Sequence, residues 1–169
     1  MQKSVTRQQD RQWSILKFHL IKISNMKTVN LLAGLGGALV LTALNESLKN
    51  VDDKMPRIDL VGEQALQKTW AFFGSKFKSK NSLFKATLAG DLVSNAAYFS
   101  LIAGNNKDLW KRAASAGFLA GIGAITLPKE MGLDDSPVAK SLTTKTLTVG
   151  YYMAGAFATA AILSFFSKK

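Results

Sequence analysis

Residues 150–166 read GYYMAGAFATAAILSFF, and this stretch decides the fold class. Its only polar side chains are Tyr151, Tyr152, Thr159 and Ser164, so a helix built from it leaves no face for water. The charge-free run extends from Thr146 to Phe166. A hydrocarbon core of about 30 Å needs roughly 20 helical residues, so this block is long enough to span one. A buried helix of a soluble protein does not normally need so long an uninterrupted apolar run.

Three more blocks precede it. Val29 to Leu44 and Ala113 to Leu127 carry no charge, and Leu83 to Gly104 carries only Lys85 and Asp91. The first and third are short, but flanking residues supply a further turn and their lysines can reach the interface. The reading is all-α: a membrane-embedded bundle of four transmembrane helices, at about 28–45, 83–104, 113–130 and 146–166, forming one domain over 26–169. Small residues at spacings of four permit close helix approach in lipid. Ala33 and Gly37, Gly117 and Gly121, and Gly150 and Ala154 are the expected packing positions.

Composition removes several function classes. The 169 residues include no Cys and one His, His19, so disulfides, thiolate nucleophiles and His- or Cys-based metal cages are excluded. With 47% apolar residues the chain is not of disordered composition. No phosphate-binding loop, nucleotide fingerprint, serine nucleophile motif or catalytic carboxylate pair occurs, and the exposed-looking pair Asp134 and Asp135 reads as solvated. The expectation is no enzyme, no cofactor and no metal.

The net charge of +11 flanks the apolar blocks, with no nucleic-acid motif beside it, so lipid headgroups rather than nucleic acid are the expected anion. Between the first two blocks, Gly62 to Phe77 reads as an interfacial amphipathic helix with Leu66, Trp70, Phe73 and Phe77 on one face. Trp70, Lys76, Lys78 and Lys80 are the expected contacts to anionic headgroups, unless the aromatic face packs on the bundle.

Residues 1–25 form a basic extension containing WSILKFHLIKIS, which reads either as a second interfacial helix or as sequence upstream of a natural start at Met26. A cleaved signal peptide over Met26 to Leu44 is disfavoured by the absence of a small-x-small site after it. The positive-inside count depends on that start: eleven basic residues face ten if translation begins at Met1, and six face ten if it begins at Met26.

The stretches GDLVSNAAYFSLIAG (Gly90 to Gly104), GFLAGIGAITLPKEMGL (Gly117 to Leu133) and TKTLTVGYYMAGAFATA (Thr144 to Ala160) resemble small bacterial four-helix integral membrane proteins of unknown function. MPRIDLVGEQAL, from Met55 to Leu66, is similar to their first loop. The resemblance covers Met26 onward and brings no activity with it. It implies a bacterial membrane protein of unknown function, and the inner (cytoplasmic) membrane is the expected location.

Asp91 is the one acidic residue inside a block. Thr87, Asp91, Ser94, Asn95 and Tyr98 form a polar stripe on its helix. Two readings follow. Asp91 and Asn95 bond neighbouring helices through Tyr151 or Tyr152, or Asp91 pairs with Lys85 of its own block, in a non-catalytic accessory or structural protein. Alternatively the stripe serves a small transporter or proton-coupled carrier. A homo-oligomer or a membrane-protein partner suits both. Because the four blocks all lie after residue 25, deleting residues 1–25 leaves membrane insertion intact; a membrane-fractionation assay of the truncated chain checks this.

Overall fold

The structure is a computed structural model and describes residues 28–167. The basic extension 1–25 with its WSILKFHLIKIS segment, the start at Met26, and Lys168 and Lys169 lie outside the described residues. The described residues are all helical, without a strand: α1 (Thr28–Leu48), α2 (Ile58–Phe72), α3 (Lys80–Ser100), a short 3₁₀ turn (Asn106–Asp108), α4 (Leu109–Glu130), α5 (Ser136–Ala139) and α6 (Leu142–Ser167).

The four long helices have 21, 21, 22 and 26 residues. At a rise of 1.5 Å per residue they are roughly 31 to 39 Å long. By length and composition together, two of them, α1 and α6, are apolar enough to cross a membrane, rather than the four expected. Charged and amide side chains account for the difference: Lys85, Asp91 and Asn95 in α3, and Lys111, Arg112, Lys129 and Glu130 near the ends of α4.

Local chemistry sets the boundaries. Ser79 caps α3, its hydroxyl accepting the Ser82 N–H at 3.1 Å, so the helix starts three residues before the apolar block. Ser141 caps α6 in the same way through the Thr144 N–H at 3.0 Å. Thr143, Thr144 and Thr146 lie inside it. Thr148 and Thr159 return their hydroxyls to the carbonyls of Thr144 and Gly155.

α2 stops at Phe72 instead of continuing to Phe77. Gly74, at φ 72°, donates to the Ala71 carbonyl, and Ser75 donates to that of Trp70. This paired closure needs a left-handed residue, which glycine adopts without strain. Gly132, at φ 67°, ends α4 by the same bonds to Lys129 and, from Leu133, to Pro128.

The long helices run antiparallel in sequence order, and α1 lies against both α3 and α6. Gly34 sits on the Ala96 carbonyl and the Ser100 N–H of α3. Gly37 sits on the Gly155 carbonyl and Thr159 hydroxyl of α6, where a methyl group would overlap them. A Cβ on Gly155 would lie 2.8 Å from the Phe99 ring and 2.9 Å from the Gly37 carbonyl. In the α4–α6 pairing, Gly117 and Gly121 face Met153 and Val149, with 2.9 and 2.7 Å from the Cβ position to the facing Cα. Ala33 is fully buried in the core these contacts enclose, where Phe99 and Ile102 are the largest fully buried apolar side chains of the long-helix bundle.

The α6 face differs from the expected one. Gly150 has nothing within 4 Å of its Cβ position, and Ala154 is half-buried. Two partners on adjoining sides select Tyr151, Gly155, Ala156, Thr159, Ala160 and Leu163 instead. Gly37→Val therefore destabilises the protein by about 1–3 kcal/mol through overpacking. Gly150→Ala gains roughly 0.5–1 kcal/mol of helix propensity. Thermal unfolding of the two variants in detergent checks both signs.

Candidate functional site

Under α2, residues from three helices meet at a polar cluster. Asn45, in the last turn of α1, accepts the Ile58 N–H on its Oδ1 at 3.0 Å. It thereby supplies the N-terminal cap that Arg57 does not give α2. Its amide nitrogen donates to Asp59 Oδ1 at 3.4 Å and to Glu46 Oε1 at 3.3 Å.

Asp59 stands in the first turn of α2, where the helix dipole favours a negative charge. Arg57 donates to both of its oxygens, at 3.1 and 2.9 Å, and Lys49 reaches Oδ2 at 3.2 Å. Lys49 also bonds Glu46 at 2.8 and 2.9 Å and lies over the Phe84 ring. Burial opposes the charge on Asp59, but Arg57 and Lys49 outweigh it and hold the carboxyl below the usual carboxylate range. For Lys49, burial is likewise outweighed, by Glu46 and Asp59, so its pKa is raised.

Beside this ion cluster lies a cavity of about 20 Å³, lined among others by Leu41, Asn45, Asp59, Thr87, Asp91 and Asn95. That volume admits one water-sized guest. Gly62 of α2 closes it from one side: a Cβ there would be 2.7 Å from the Thr87 methyl and 3.1 Å from an Asp91 oxygen.

The polar stripe divides at this point. Thr87, Asp91 and Asn95 face the cavity. Ser94 is exposed and returns its hydroxyl to the Asp91 carbonyl, while Tyr98 donates to the Ala116 carbonyl of α4 at 2.9 Å. The expected bonds from Asp91 to Tyr151, Tyr152 or Lys85 are not made, and no donor among the described residues reaches its carboxyl. Tyr151 turns instead to the Met55 sulfur. The Thr87 hydroxyl is buried without a partner.

The second candidate region is the end of α2. Trp70 stacks on Phe77 at 5.3 Å, and Phe72 and Phe73 are 86% and 73% exposed, so this aromatic end does not pack on the bundle. Lys76, Lys78 and Lys80 follow it, all exposed. Upstream, Gln64 exchanges bonds with the Asp134 backbone and Lys68 donates to the Met131 carbonyl, clasping α2 to the end of α4. No group of three acidic, His or Cys side chains that could hold a metal exists among the described residues.

Sequence reasoning placed Asp91 but missed Asn45, Glu46, Lys49 and Asp59. The signal available was Asp59 at the start of a helix, which reads equally well as a turn. Comparison of the chain with protein-family models, curated proteins and solved structures gives no match.

Because the folded-state pKa of Asp59 lies below its unfolded value, its contribution to stability is complete above about pH 4 and is lost as the pH falls through the lowered value. Asp59→Ala strands Arg57, leaves Lys49 with Glu46 alone, and costs on the order of 3 kcal/mol. It also flattens the acid limb of the stability curve, which denaturation measured from pH 3 to pH 7 checks.

Proposed function

We propose that this is a small, non-catalytic integral membrane protein, an accessory or structural component of the bacterial inner membrane, whose α1, α3, α4 and α6 all cross the bilayer. One observation carries this reading: large apolar side chains point outward from all four long helices. They include Leu31 and Leu39 on α1, Val93 on α3, Phe118 and Leu119 on α4, and Phe165 on α6. Exposed to water, so wide an apolar surface would be a liability; facing lipid, it is at home.

Helix lengths support the same reading, since the shortest of the four, at about 31 Å, matches a 30 Å core. The outward hydroxyls of Ser94, Ser100, Thr126 and Thr146 all bond carbonyls of their own helices, which removes free donors from a lipid-facing surface. The resemblance to small bacterial membrane proteins agrees. At the interface, the exposed aromatic end of α2 and Lys76, Lys78 and Lys80 suit anionic headgroups, each cation being worth about 1 kcal/mol. A homo-oligomer or a second membrane protein is the natural partner for the remaining apolar faces.

A second reading, a small transporter or proton-coupled carrier, is favoured by the unpartnered Thr87, Asp91 and Asn95. The accessory role stands first because the cavity holds only about 20 Å³ and the helices around it close at glycine contacts.

Four spans return the chain to its side of origin. Reporters fused before Met26 and after Lys169 therefore give the same side, and alkaline carbonate leaves the protein with the bilayer. Opposite sides, or recovery in the soluble fraction, overturn the reading.

A further inference from the structure

Thr87, Asp91 and Asn95 follow one another at intervals of four residues, so they stack on one face of α3. All three line the cavity under α2, and none makes a side-chain hydrogen bond within the described residues. Thr87 is 4% exposed, with its methyl toward Gly62. Its hydroxyl is the one buried side-chain polar atom among the described residues left without a partner. Buried polar groups are normally satisfied, so the Thr87 hydroxyl, next to the half-buried and likewise unbonded side chains of Asp91 and Asn95, points to an occupant.

Charge identifies its sign. Glu46, Asp59 and Asp91 line the cavity, and the two cations bonded to that lining are Lys49 and Arg57. Both are committed to Glu46 and Asp59, so one negative charge, that of Asp91, stays unbalanced. Water would satisfy Thr87 and Asn95 but leave that charge. The available donors are all oxygens, which suits a hard cation, and a single uncompensated carboxylate matches a single positive charge. The space admits one bare ion and excludes ammonium compounds with carbon substituents.

We propose that this cavity binds one monovalent cation of about sodium's size, held by the Asp91 carboxylate, the Thr87 hydroxyl and the Asn95 side-chain carbonyl. The site goes beyond the membrane role and needs only the α3 face and its α2 cover. It stands whether or not α3 crosses a bilayer, and it requires binding, not transport.

The test is thermal unfolding of the purified full chain, in mild detergent at pH 8, with sodium chloride exchanged for choline chloride at constant ionic strength. Sodium raises the unfolding temperature saturably, by about 3–8 °C when the site is filled. Thr87→Val and Asp91→Asn, both near-isosteric, lose that response. Radioactive sodium binding to the wild-type protein, at one ion per chain, provides a readout that no variant's folding affects. Identical unfolding in sodium and choline without sodium binding overturns the proposal, as does a full sodium response in Thr87→Val. Stabilisation by acid alone, equal in both salts, shows that the occupant is a proton and overturns it too.

Discussion

Everything in this bundle depends on two backbones touching where side chains are missing. Gly37 and Gly155 face each other with a carbonyl at each other's Cβ position, and Gly155 also receives the Phe99 ring. This brings α1, α6 and α3 to one point. Helices that meet so closely gain dispersion contacts along their whole length, and in lipid that gain replaces the hydrophobic drive available in water. The cost is that the glycines and alanines at these crossings, set among larger side chains such as Phe99 and Leu41, tolerate little added volume.

Because the long helices close tightly, polar chemistry is displaced to the end covered by α2. There Asn45 joins α1 to α2, Asp59 gathers Arg57 and Lys49, and Gly62 lets α2 settle onto Thr87 and Asp91. The cluster is a joint as much as a site. Its ion pairs hold the turn between α1 and α2 in the shape that covers the cavity, so the geometry around Asp91 depends on residues with no bond to it.

The helices were legible in the amino-acid sequence because uninterrupted apolar runs leave few alternatives, and Asp91 was legible because a carboxylate inside such a run is conspicuous. Boundaries were less so. Ser79 and Ser141 start helices outside the apolar runs, and Gly74 stops α2 through a left-handed turn that periodicity does not register. The α6 packing face was read one residue off, since an alanine-rich helix offers several small-residue stripes and its neighbours choose among them. The ion cluster was hidden for a different reason: Asp59 acquires Lys49 only when the intervening loop folds back, and a sequence does not display that distance.

The Gly37–Gly155 contact also sets a timetable. Its two halves lie about 118 residues apart, the difference of their positions. At a synthesis rate of roughly 5–20 residues per second, α1 waits about 6–24 s for the helix that completes its packing. Throughout that interval Gly37 lacks the backbone it packs on, and α6 completes the contact once it is made. Assembly is therefore committed late, and α1 lacks its partner backbone at Gly37 until α6 arrives.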